Sequence, residues 1–209
     1  MTFTEPQPPT PDQALDMLLT GNRRFVDGDP KHPNQNAERR AALGLAQHPF
    51  AVLFGCSDSR LAAEIIFDCG LGDLFVVRTA GHVLGPEVLG SIEYGVSQLA
   101  CPLVVVLGHQ GCGAVRAARD ALAQDRAPGG YVRDVVERVT PSVLAARGAG
   151  LSEDSDFVDE HIRNTVGLLV DRSPVLAGGQ AAVVGLSYEL APGQVRLVTS
   201  HGLDGVAAA

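Results

Sequence analysis

The sequence predicts an α/β fold: a mostly parallel central sheet with an antiparallel edge strand, flanked by helices and preceded by an N-terminal helical arm. Three observations predict it. Continuous apolar runs at residues 50–54, 74–77 and 103–107 read as strands buried on both faces, as in a parallel sheet. Helix-like segments at 61–67 and 86–99 lie between these runs, and longer ones follow at 113–124, 131–147 and 155–172. Residues 180–190 and 194–199 flank Ala191-Pro192-Gly193 like the arms of a hairpin, which supplies the antiparallel edge.

In chain order, residues 1–9 are Pro-rich and polar and read as a flexible arm. Thr10-Pro11-Asp12-Gln13 starts a helix: Thr10 caps it, Pro11 suits the first helical position, and Gln13 completes a capping box. Leu15, Leu18, Leu19 and Phe25 give this helix an apolar stripe. With little core of its own to join, it is expected to pack on a partner subunit. Residues 28–36 form a polar connection, and a short second helix is expected over 37–46. Pro128-Gly129-Gly130 reads as a turn, not a linker. The expected organisation is one domain over 10–200 with a tail at 201–209.

Composition narrows the function. A net charge of -8 and the lack of any basic run disfavour nucleic acid as a partner. The apolar stretches are far shorter than the roughly 20 residues of a membrane span. The N-terminus lacks the basic and apolar regions of a signal peptide, so the expected location is cytoplasmic. In a reducing compartment the four cysteines are core residues, metal ligands or nucleophiles, not a disulfide framework.

Every parallel strand delivers reactive residues at its C-terminal end. The first ends in Gly55-Cys56-Ser57-Asp58-Ser59-Arg60, the second in Arg78-Thr79-Ala80-Gly81-His82, and the third in Gly108-His109-Gln110-Gly111-Cys112-Gly113. Open α/β sheets place their ligand sites there. Cys56, His109 and Cys112 form a set of two thiolates and an imidazole, the ligands zinc prefers. Three protein ligands leave the fourth position open, as in catalytic zinc. The plainer alternative is two buried thiols and a satisfied core histidine. Asp58 either binds the metal as a fourth ligand or accepts a hydrogen bond from metal-bound water, with Arg60 placed to hold it by a bidentate pair. His82 is expected to be a solvated loop residue, with proton shuttling as the alternative. His32, His48, His161 and His201 read as structural or surface residues. Cys69 and Cys101 read as buried fillers.

Cys56-Ser57-Asp58-Ser59-Arg60 followed by Gly108-His109-Gln110-Gly111-Cys112-Gly113-Ala114 resembles the paired signature of the β-class carbonic anhydrases, closest to actinobacterial members. Residues 72–78 and 91–94 are also similar to that family, and the similarity runs from about residue 10 to 199. The resemblance implies zinc on Cys56, His109 and Cys112, with Asp58 and Arg60 as a catalytic dyad. It implies a small bicarbonate pocket drawing on Gln47, Phe75, Ala80, Tyr94 and the Gly113 backbone N–H, partly from a neighbouring subunit, and hence a homodimer or homotetramer. It also implies a closed form in which Asp58 becomes the fourth zinc ligand. A Trp that one subgroup uses in an inhibitory bicarbonate site has no counterpart: the chain contains no Trp, and Leu53 stands there. Thr79-Ala80-Gly81-His82 stands where an Asn-containing loop is more common.

The implied reaction is reversible hydration of carbon dioxide to bicarbonate and a proton. Two thiolates cancel the charge of zinc and weaken it as a Lewis acid, so activity should rise toward alkaline pH. Rival readings are a hydrolase of carbon disulfide or carbonyl sulfide on the same scaffold, a non-catalytic bicarbonate-binding module, and a structural zinc site.

Overall fold

The computed structural model describes residues 8–203. The expected arm up to residue 7 and the expected tail from 204 lie outside the described residues. The chain runs α1 (Pro11–Val26), α2 (Ala37–Ala42), β1 (Ala51–Cys56), α3 (Ala63–Ile66), β2 (Leu74–Thr79), a 3-10 turn (Ala80–His82), α4 (Pro86–Ser97) and β3 (Leu103–His109). It continues through α5 (Gly113–Gln124), α6 (Val132–Gly148), α7 (Asp154–Arg172), α8 (Pro174–Ala177), β4 (Ala182–Tyr188) and β5 (Val195–His201). The order and type of the expected elements hold, and α8 is an addition that begins at Pro174 after the Ser173 cap.

The described residues form a five-stranded sheet in the order β2-β1-β3-β4-β5. Three adjacent pairs are parallel, and β4–β5 is antiparallel. The chain moves from β1 outward to β2 and then back across β1 to β3. The strand order therefore reverses between β1 and β3, and a crevice opens beyond their C-terminal ends. Cys56 ends β1 and His109 ends β3.

β1, β3 and β4 are buried at every position, as their apolar runs require. β2 departs from that expectation. Its Leu74-Phe75-Val76-Val77 run is half-buried throughout, because β2 is an edge strand and lacks a neighbour on one side. α7 lies against β3, β4 and β5, and α4 against β1, β2 and β3. On α7 the buried positions His161, Ile162, Thr165, Val166 and Leu169 repeat at helical spacing.

The N-terminal helix has more core of its own to join than the sequence suggested. Thr10 and Gln13 form the capping box, with Thr10 N–H donating to Gln13 Oε1 at 2.9 Å. The helix then packs on its own subunit, burying Ala14, Leu15, Leu18, Gly21 and Asn22. Asn22 Nδ2 donates to the carbonyls of Ile66 (3.1 Å) and Gly193 (2.8 Å), and Asn22 Oδ1 accepts from Val195 N–H at 3.0 Å. At the same end, Arg24 Nε meets Asp68 Oδ2 at 2.6 Å. Two polar residues thus anchor a helix whose apolar stripe alone did not reveal a docking site.

Candidate metal centre

Two strand ends and one turn build the site. Cys56 closes β1 and His109 closes β3. Gly111, at φ 67°, then turns the chain so that Cys112 caps α5; this left-handed angle suits glycine. The sulfur and nitrogen donors of Cys56, His109 and Cys112 all lie within 4.8 Å of one another. All three residues are buried, His109 completely.

The histidine tautomer follows from its partners. His109 Nδ1 lies 3.0 Å from the Gln110 carbonyl, which can only accept, so Nδ1 carries the proton. Nε2 is then a bare lone pair, buried and without a hydrogen-bond partner among the described residues. Such a pair is costly unless a cation takes it.

Cys56 is drawn down to about 4, first by the hydrogen bond from the Cys112 thiol and against desolvation. The backbones of Asp58 and Gly81 assist. Cys112 is pushed up by the same sulfur–sulfur hydrogen bond and by burial. A divalent cation bound here would displace the proton of that bond. Cys69 and Cys101 lie outside this cluster; both are buried, and desolvation pushes each up to about 12.

Asp58 does not close the cluster. Its Oδ1 accepts from Arg60 N–H (3.0 Å) and Arg60 Nε (2.9 Å), and its Oδ2 accepts from Arg60 Nη2 (2.8 Å). Arg60 is the main cause that holds this carboxyl far below the usual range. Asp58 Oδ2 still lies 3.9 Å from His109 Nε2, so it borders the space the three donors enclose.

Arg78 was given no role by the sequence reading, although it stands at the end of β2. Its Nε donates to the Cys56 carbonyl at 2.9 Å and its Nη2 to the Asp58 carbonyl at 2.6 Å. Gly81 N–H donates to Cys56 Sγ at 3.3 Å. His82 is not the solvated loop residue expected. It is 1% exposed, and its ring stacks 4.3 Å from that of His161. Neither of its ring nitrogens has a partner among the described residues, and burial pushes its pKa well below the usual histidine value. That environment does not suit a shuttle, which must reach solvent.

The expected pocket residues are only partly assembled within one subunit. Phe75 and Tyr94 lie together, ring centroids 6.1 Å apart, on β2 and α4. Tyr94 is 50% exposed. Ala80 and Gly113 are exposed at the ends of β2 and α5. Gln47 is exposed and lines a surface groove of about 480 Å³ with Arg40, Leu45, Leu71 and Gly72, and none of the three donors lines that groove.

Comparison with known proteins follows the same lines. Residues 51–195 match the family described as "Carbonic anhydrase". A Mycolicibacterium smegmatis protein named "Carbonic anhydrase" is 56% identical, over 92% of this chain and 95% of its own length. The solved structure of a Coccomyxa β-carbonic anhydrase in complex with acetazolamide superposes with a TM-score of 0.69 at 25% identity, over 90% of this chain and 88% of that one. One of two tetrameric β-carbonic anhydrases from Sordaria macrospora shares the fold, with a TM-score of 0.68 at 20% identity, over 90% of this chain and 99% of that one.

Proposed function

The chain belongs to the β-class carbonic anhydrase family, and on that premise we propose that it catalyses the reversible, zinc-dependent hydration of carbon dioxide. The single observation that carries the proposal is the buried cluster of Cys56, His109 and Cys112, with a bare Nε2 on His109 and with Asp58 held beside it by Arg60. These donors fit zinc in kind and in proximity. A structural site would recruit a fourth protein ligand, whereas here the nearest carboxylate is held by an arginine.

Bound zinc would supply Lewis-acid activation of a water molecule as the nucleophile. The chain's own residues do the rest. Asp58 Oδ2, facing the donor cluster, accepts the hydrogen bond of the attacking water and so aims its lone pair at carbon. Arg60 keeps that carboxylate ionised and fixed in direction. Arg78 holds the backbone on which ligand and acceptor both sit. Phe75 and Ala80 supply the wall for apolar carbon dioxide, and Tyr94, Gln47 and the Gly113 N–H supply polar groups for bicarbonate.

We assign a homodimer as the minimum assembly, with a tetramer as its extension. The half-buried apolar strand β2 is an open sheet edge of the kind proteins usually cover. Gln47 lines a groove apart from the three donors of its own subunit, which supports service in a neighbour's pocket. The four buried, unpaired cysteines suit a reducing compartment and support a cytoplasmic location.

Zinc analysis together with carbon dioxide hydration, measured from mildly acidic to alkaline pH, tests the reading. Stoichiometric zinc with no hydration at any pH refutes it. Sedimentation of a fully active monomer refutes the assembly.

A further inference from the structure

Gly81 donates to Cys56 Sγ from a left-handed backbone, φ 64° and ψ 22°. His82 follows at φ 40°, also left-handed. For a residue with a side chain that conformation costs about 1–2 kcal/mol, so the turn needs an external restraint. One side is closed by α5: a Cβ on Gly81 would lie 2.5 Å from Ala114 Cβ. The other side is held by His161 on α7.

His161 Nε2 lies 2.8 Å from the Gly81 carbonyl, and its Nδ1 lies 2.9 Å from Ser142 Oγ. Asn164 Nδ2 donates to the same Ser142 Oγ at 2.9 Å. The chemistry of the partners fixes the protons. A carbonyl only accepts, so His161 Nε2 carries a hydrogen and Nδ1 is the acceptor. The Asn164 amide nitrogen only donates, so Ser142 receives that bond and gives its own hydrogen to Nδ1. Donation therefore runs one way, from Asn164 through Ser142 and His161 to Gly81. His161 is 2% exposed and Ser142 fully buried. Well-packed apolar residues could fill that space without needing matched partners, whereas a buried polar chain must satisfy every member.

We infer that His161 is a positioning residue for the metal centre: by holding the Gly81 carbonyl it keeps the Gly81 N–H on Cys56 Sγ and limits the charge that sulfur gives to the metal. A thiolate that accepts a hydrogen bond is a weaker donor, and the metal it binds is a stronger Lewis acid. Groups behind a ligand tune metal centres in this way. Sequence separation conceals the relation, since His161 and Gly81 lie 80 residues apart.

The inference rests on the proposed metal reading, and the test separates the two. The full-length protein is first loaded with the NMR-active isotope of cadmium. Failure to bind it stoichiometrically overturns the metal reading and the inference with it. With cadmium bound, the Gly81 amide proton should show scalar coupling to the metal through Cys56, and His161 Nε2 should carry a slowly exchanging proton. Bound cadmium without that coupling overturns the inference alone. In a second arm, cobalt-substituted His161→Phe should move its sulfur-to-cobalt charge-transfer band to lower energy. The zinc form of this variant should shift its pH–rate profile to higher pH, with activity down about tenfold or more. His161→Gln, whose amide N–H can reach the same carbonyl, should restore both. An unmoved band and profile in His161→Phe overturns the inference, and so does failure of His161→Gln to restore them. If His161→Phe does not fold, the cadmium coupling in the unaltered protein decides.

Discussion

Arg60 grips Asp58 with both its side chain and its backbone. Two side-chain bonds, at 2.9 and 2.8 Å, take one carboxylate oxygen each, and the backbone N–H adds a third bond at 3.0 Å. The guanidinium is exposed while the carboxylate is half-buried. The pair acts by aiming the carboxylate, since exposed ion pairs stabilise folds by only about 0–1 kcal/mol.

Replacing Arg60 with Ala should therefore leave stability and zinc content near wild type and lower hydration activity about 10–100-fold. Arg60→Lys should rescue it poorly, because an ammonium cannot make the bidentate contact. Zinc content and initial rates, measured on the same preparations, check this. Full activity in Arg60→Ala would remove the dyad from the mechanism.

Activity should rise from mildly acidic toward alkaline pH, because two thiolates feed charge to the metal. A stopped-flow profile that stays flat down to acidic pH would contradict this.

Asp68 anchors the end of α1 from a buried position. Burial opposes its charge, but the Lys31 N–H at 2.9 Å, the Arg24 guanidinium and the His32 N–H outweigh it and lower its pKa. A carboxyl depressed in the folded state contributes stability above its unfolded value of about 3.9. That contribution is lost as pH falls through the lower, folded value. Asp68→Asn should cost about 3 kcal/mol at neutral pH by leaving Arg24 without its partner. It should also flatten the acid side of the stability profile. Denaturant midpoints measured across pH would show both effects.

Asn22→Leu should lower stability by about 2–3 kcal/mol, because it leaves two carbonyls and one N–H without partners. The fold of the sheet should survive. Hydrogen exchange should speed in α1 and spare β3 and β4; uniform protection throughout would contradict this.

Gly81→Ala should lower the thermal midpoint and speed zinc loss to a chelator, since the new Cβ would press on Ala114 and stand at positive φ. Zinc retained at the wild-type rate would show that the turn yields without disturbing Cys56.

The residues that gather at the metal centre were legible in the sequence for a physical reason. A parallel strand buried on both faces leaves a continuous apolar run, so its end is marked by the first polar residue. Cys56 and His109 stand at such ends, and Cys112 follows within one turn. The capping box at Thr10 was legible because all its parts lie within one turn of helix. Docking of α1 was not, because it depends on Asn22 meeting Gly193, 171 residues away. Burial of His82 was hidden too: a polar residue beside a glycine reads as surface, and only packing by β1, β3 and α7 around it makes it interior. The half-exposure of β2 was equally silent, since an apolar run does not tell how many neighbours its strand has.

Arg78 gives the centre a property that none of its distances states alone. One rigid guanidinium bonds the carbonyl of the residue bearing a sulfur donor and the carbonyl of the residue bearing the carboxylate. Thermal motion of the β1 end must then carry Cys56 and Asp58 together. The two backbone segments are tied to one side chain, so a displacement of either is shared by the other.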